Sequence, residues 1–369
     1  MKKMKKLLAI LLAASMVMMT GCSGKQADTP APQPEEQTGQ EAPDAKQGET
    51  EAPEAGNSMA GSKTDADTIK IGIVVKQAGA PYFDYAAGGA KKAAADLNAE
   101  IVSYTGPTSE DVNQEITFIE DLITQKVDAI LVSTADSTAI IPTINKAMDA
   151  GIAVFTFDID APDSNRLFCI TAGNAEESGT AIGESLAKAV DGAGQVALLT
   201  GGLGSDTLNR RLAAIEEVLA DYPDIEIVAT EACDDDFEKC VSQVENLMQT
   251  YPELKAVAGV STVNPPAAAM AIKSAKKDGQ VISLGIALPS QITEYVDSGI
   301  IPEAILWDPG VMGYDAVAAA CDYLRNGELP TDGKDYGEYG GKIVVESGDS
   351  VAYIPSIVFT KDNVHDFEF

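Results

Sequence analysis

The chain has 369 residues, 57 of them acidic against 26 basic, and a formal net charge of −31 with its single histidine neutral. Such a surface repels nucleic-acid phosphates and does not steer an anionic substrate inward, which leaves a neutral small molecule as the natural partner. The length supports two domains with cores of their own, and 45% hydrophobic content is ordinary for a soluble protein.

The first element is an address. Lys2, Lys3, Lys5 and Lys6 precede an apolar run from Leu7 to Met19, too short for a permanent membrane span, and Thr20-Gly21-Cys22 closes it. Residues 1–22 resemble a bacterial lipoprotein signal, with Met19 standing where that family usually has Leu. The resemblance implies cleavage before Cys22, lipidation of that residue and durable attachment through several acyl chains. Residues 23–66 are rich in Pro, Glu, Ala, Gln and Gly and nearly lack large apolar side chains, the composition of a disordered tether. Its ends would lie on the order of 35–40 Å apart as a random coil. No later apolar run approaches a spanning length.

From Ile69 the pattern becomes a repeating strand, loop and helix. Strand-like runs occur at 69–75, 129–132, 152–157, 196–200, 225–229, 256–260, 281–286 and 304–307. Amphipathic helices separate them. In the clearest, Val112, Ile116, Ile119 and Ile123 share one face, with Thr108 and Asp111 as a capping pair at its start. Gly151 is placed to end the helix that follows Asp136. Continuous apolar strands alternating with helices predict α/β architecture with parallel sheets covered on both faces. The strand number exceeds what one sheet comfortably holds, so two doubly wound lobes are expected with a ligand cleft between them.

Ligands of open parallel sheets bind at the carboxyl ends of the strands. Those ends carry Lys76, Gln77, Tyr82 and Phe83 after the first strand, and Asp158 and Asp160 after Phe157. Asp206 and Asn209 follow Thr200 in a Gly-rich loop. Thr262 and Asn264 follow Val260, and Trp307 and Asp308 follow Leu306. Carboxylates accept hydroxyl hydrogen bonds, Lys and Asn donate, and aromatic faces cover the C–H face of a ring, so the set suits a polyol or sugar. Structural alternatives stand beside each. Asp158, Asp160 and Asp206 can serve as caps, Trp307 as core, and Lys76 as a surface charge. Asp234-Asp235-Asp236 reads as a solvated loop opening a helix.

The enzyme readings are weak. The one histidine, His365, leaves no Ser-His-Asp or Cys-His arrangement, and 201–204 matches neither a dinucleotide fingerprint nor a Walker A loop. Paired carboxylates exist, and a glycosidase could use Asp158 with Asp308 across the cleft. No metal site or cofactor is expected, because a second cysteine pair and further histidines are missing. Cys169, Cys233, Cys240 and Cys321 are too few and too spread for a disulfide scaffold. Cys233 and Cys240 either pair across a strand-to-helix turn or remain separate thiols.

From Ile69 onward the chain resembles the type I periplasmic sugar-binding proteins of ABC importers, and among them the rhamnose-binding and autoinducer-2-binding subgroup. The segments that carry the resemblance are Val75–Asp84, Tyr104–Thr108, Phe157–Asp160, Leu284–Ser290, Leu306–Asp308 and Phe359–Asn363. The resemblance implies two lobes joined by a three-strand hinge, with crossings near 170–173, 285–288 and 306–309. It implies a first lobe of 67–169 with 288–306 and a second of 170–287 with 307–369. Lys76, Asp158 with its neighbour Asp160, and Asp206 correspond to ligand contacts, and Leu288 falls in the rhamnose-like Ala287-Leu288-Pro289 stretch. Autoinducer-2 binders have Gln, Pro and Ala where this chain has Thr207, Val260 and Thr262, and pentose binders have Asp in place of Ala287. A rhamnose-like deoxyhexose is therefore favoured over autoinducer-2. The implied partners are a permease with its cytoplasmic ATPase, the protein itself being a monomer; presenting ligand to a membrane sensor kinase is the alternative role.

Overall fold

The computed structural model describes residues 68–369 except 172, 347 and 349. The leader, Cys22 and the 23–66 tether lie outside the described residues. Among those described, no helix is long and apolar enough to cross a membrane.

The chain opens with β1 (Ile69–Val74), α1 (Pro81–Asp96), β2 (Ala99–Thr105), α2 (Val112–Gln125), β3 (Ala129–Val132), α3 (Ile141–Asp149), β4 (Ala153–Asp158) and β5 (Phe168–Thr171). There follow α4 (Ala175–Ala189), β6 (Ala193–Thr200), α5 (Asp206–Leu219), β7 (Asp224–Ala232), α6 (Phe237–Thr250), β8 (Leu254–Gly259), α7 (Asn264–Ser274), β9 (Ile282–Ile286), α8 (Pro289–Ser298) and β10 (Ala304–Leu306). The last elements are α9 (Pro309–Asn326), β11 (Val344–Val345), β12 (Val351–Tyr353), β13 (Ile357–Phe359) and a 3-10 turn at Val364–Asp366.

These strands form two sheets, ordered β11-β12-β5-β4-β3-β1-β2 and β13-β10-β9-β8-β6-β7. All neighbours run parallel except β11 with β12 and β10 with β13. Strands β3, β4 and β5 are buried throughout, as expected of parallel strands covered on both faces. The two α/β lobes expected from the alternation of strands and helices are therefore present. The strand-like runs of the sequence omit β2, a half-exposed edge strand carrying Glu100 and Ser103, and the short β5, β11, β12 and β13.

Local chemistry sets the element ends. Asp111, rather than Thr108, is the N-cap of α2, its carboxylate accepting the Asn113 and Gln114 amides at 3.0 and 3.3 Å. Gly151, at φ +82°, closes α3 as expected and donates its N–H to the Met148 carbonyl at 2.9 Å.

The division into lobes differs from the expected one. Strand β10 pairs with β9, so residues 288–306 belong to the second lobe. Helix α9 packs on α1 and β4, and β12 pairs with β5, so 309–353 returns to the first lobe. The chain crosses between β5 and α4, between β10 and α9, and between β12 and β13. The third crossing is therefore not at 285–288, because β9, α8 and β10 form one continuous unit of the second sheet. At the first crossing Gly173 lies at φ +69° against the Trp307 ring, where a Cβ would come within 2.8 Å of the indole. Only glycine accommodates both that backbone and that approach.

Candidate functional site

Strand β1 ends two residues before Lys76, whose ammonium is buried between the lobes. It donates to Glu110 of its own lobe at 2.6 Å and pairs across the cleft with Asp235, on the turn between β7 and α6. Asp235 also accepts the Ser261 hydroxyl, from the loop after β8. Burial alone would depress the lysine's pKa, but Asp235, Glu110 and Asp158 together hold it above its ordinary value. Burial likewise opposes ionisation of Asp235, yet Lys76 and the Ser261 hydroxyl keep its carboxyl below the usual range. Burial and the neighbouring Asp235 push Glu110 upward. Lys76 and Asp235 thus favour each other's charged forms, whereas burial works against a charge on Glu110.

Asp158 closes β4 in a left-handed conformation, φ +61°, uncommon for a non-glycine residue. Its buried carboxylate accepts the Ser133 hydroxyl at 2.7 Å, and burial raises its pKa against the pull of Lys76, Ser133 and Arg211. Arg211 reaches in from α5. It is buried, donates to the Val260 carbonyl at 3.1 Å, and lies 5.0 Å from the centre of the Trp307 ring. Burial lowers its pKa to about 10, which leaves it charged at neutral pH. Trp307 donates its indole N–H to the Tyr82 hydroxyl at 2.7 Å, which locks both rings across the crossing between lobes.

Lys76, Tyr82, Asp158, Arg211, Asp235, Ser261 and Trp307 line a cavity whose empty space, open solvent included, is about 430 Å³, together with Gln77, Phe83, Ile159, Leu208, Thr262, Val263 and Ile286. Lys76 and Arg211 balance Asp235 and Asp158, so the lining favours a neutral guest. The carboxylates and cations offer paired acceptors and donors, and the aliphatic and aromatic side chains offer apolar surface.

Of the residues nominated from sequence, the structure brings Lys76, Gln77, Tyr82, Phe83, Asp158, Thr262 and Trp307 to this cavity. It places six elsewhere. Asp160 is consumed by Arg166, at 2.6 and 2.5 Å, and by Thr156 at 2.5 Å. Asp206 pairs at 3.7 Å with Arg210 on the surface, and its backbone N–H donates to Ser137 Oγ at 3.1 Å across the cleft. Asn209 is exposed and donates to the Leu203 carbonyl. Asn264 is buried behind the site, where its carbonyl accepts the Ser261 amide at 3.0 Å and shapes that loop. Leu288 is buried at the start of α8, and Asp308 caps α9 by accepting the Gly310 and Val311 amides.

Two charged groups were missed. Arg211 sits on the apolar face of α5 with Leu208, Leu212 and Ile215, and a charge on such a face is itself a signal. Asp235 belongs to the Asp234-Asp235-Asp236 run, which reads as solvated loop. That reading holds for Asp234, which pairs with Lys239, and for Asp236, which caps α6, but not for the residue between them. Among the described residues no group of His, Cys, Asp or Glu side chains is arranged to hold a metal ion.

The family described as periplasmic binding protein domain matches residues 71–329. The ribose import binding protein of Bacillus subtilis (strain 168) is 24% identical over 322 residues, 87% of this chain and 94% of its own. An ABC transporter solute-binding protein from Burkholderia graminis, solved in complex with D-arabinose, is 30% identical at a TM-score of 0.70, covering 82% of this chain and 98% of that one. Another from Clostridium phytofermentans, with bound L-rhamnose, shares the fold at a TM-score of 0.75 and 23% identity, covering 82% and 98%. These relatives are binding proteins of transporters rather than enzymes. The chain belongs to the periplasmic binding protein domain family, among the sugar-binding solute receptors of ABC transporters.

Proposed function

We propose that this protein captures a small neutral carbohydrate, with a rhamnose-like deoxyhexose favoured, and delivers it to an ABC permease while attached to the membrane through a lipidated Cys22 and the 23–66 tether. The observation that carries the ligand class is the balanced charge of the cavity, with Lys76 and Arg211 matched by Asp235 and Asp158. Hydroxyls satisfy both signs, whereas a sugar phosphate would add charge to a site already neutral. The deoxyhexose preference is supported by Ile159, Leu208, Val263 and Ile286, which offer a methyl group an apolar surface.

A thermal-shift panel of L-rhamnose, D-ribose, D-arabinose and autoinducer-2 tests this reading. A ligand at a hundred times its dissociation constant adds about 2.7 kcal/mol of stability. The expected outcome is the largest shift with L-rhamnose. A shift with autoinducer-2 alone would move the reading to signal uptake, and no shift with any of the four would remove the proposed ligand class.

A further inference from the structure

Cys233 follows β7 directly and Cys240 lies in the first turns of α6, so the two thiols flank the turn that carries Asp235. Both are completely buried, and one side-chain amide reaches both sulfurs. The Asn264 side-chain amide points at the pair, 3.1 Å from Cys233 Sγ and 3.8 Å from Cys240 Sγ. Between them Asp234 and Asp235 are both left-handed, at φ +53° and +52°, a conformation that costs energy at each non-glycine residue. The turn that aims Asp235 at Lys76 is thus held against its own preference.

The surroundings tolerate loss of the thiol protons. Cys233 Sγ donates to the Thr200 carbonyl at 3.3 Å, but that oxygen also accepts the Cys233 amide at 3.0 Å and the Asn264 amide at 3.4 Å. Asn264 remains a donor to either sulfur in a disulfide. Asn264 donates to the Cys240 sulfur at 3.8 Å, a contact that favours its thiolate and makes Cys240 the attacking group.

We propose that Cys233 and Cys240 are a disulfide-forming pair, closed in the exported protein, that staples the turn presenting Asp235 to the cleft. It requires an oxidising compartment, which the family's extracytoplasmic location supplies. The oxidant is a disulfide donor, either a small-molecule disulfide or a thiol–disulfide oxidoreductase. The Cys240 thiolate attacks one donor sulfur, the donor disulfide breaks, and its other sulfur leaves as thiolate. The Cys233 thiolate then displaces the remaining donor sulfur. One protein S–S bond has formed and two S–H bonds have been lost. The donor, reduced to two thiols, takes up the electron pair and the protons. Because both sulfurs are inaccessible in the folded lobe, closure occurs before the lobe finishes packing or when the first turn of α6 opens.

The test uses the full chain exported through its own leader, denatured in an alkylating reagent before any reductant, then digested and mapped by mass. The expected result is alkylation at Cys169 and Cys321, with Cys233 and Cys240 recovered as one linked species that takes label only after reduction. Alkylation of Cys233 and Cys240 as complete as that of Cys321 would overturn the proposal. Reductant should also lower the melting temperature of the parent by several degrees and leave a C233S/C240S variant unmoved. Equal shifts in both would rule out a staple.

Discussion

Asp158 turns its carboxylate into the cleft from a left-handed backbone, while Asp160, two positions on, spends its carboxylate on the Arg166 guanidinium and the Thr156 hydroxyl. The two positions should therefore separate binding from folding. Asp158→Ala is expected to weaken L-rhamnose binding by about 2–4 kcal/mol, because ligand hydroxyls lose their acceptor in a closed site. Titration calorimetry measures it, and unchanged affinity would remove Asp158 from the site. Asp160→Ala leaves Arg166 buried without its partner and should cost about 3–5 kcal/mol of stability in urea unfolding, with affinity retained. Lys76 and Asp158 were legible because a polar side chain at the carboxyl end of a buried strand has few structural uses. Asp235 was not, since a run of three aspartates does not reveal which one turns inward; that depends on Lys76, which is distant in sequence and supplied by the other lobe.

Helix α9 follows a strand of the second sheet and packs on the first. What returns it is the crossing at Trp307 and the later pairing of β12, a three-residue strand too short to leave a periodic signature. Helix α9 also carries Asp315, fully buried, whose carboxylate accepts the Gly341 amide at 3.1 and 3.0 Å and anchors the segment before β11. Burial lifts this carboxyl from 3.8 to about 8. The folded protein thus holds a proton that the unfolded chain releases near 3.8. The contribution of Asp315 to stability is therefore full below that pH and declines as pH rises to about 8. Asp315→Asn should flatten this dependence and raise stability at the alkaline end by about 1–3 kcal/mol. Denaturant midpoints taken across that pH range check it, and an unchanged slope in the variant would show that Asp315 is already ionised when folded.

Across the whole molecule, the lobes meet through the Lys76–Asp235 ion pair and through Ser137, which donates its amide to the Gly204 carbonyl at 3.0 Å and accepts the Asp206 amide on its hydroxyl. Every one of these contacts joins segments far apart in sequence. The two-lobe architecture was legible because strand and helix periods are local, whereas the third crossing and half of the charged lining depend on such long-range pairings. If both lobes close on one neutral sugar, a crystal structure of the protein grown with L-rhamnose will show a sugar ring in the cavity, bonded to Asp158 in the first lobe and to Arg211 or Asp235 in the second, with its methyl group against the aliphatic side chains. A cavity without sugar under those conditions, or a sugar bound outside it, would show that the lobes do not close on this ligand.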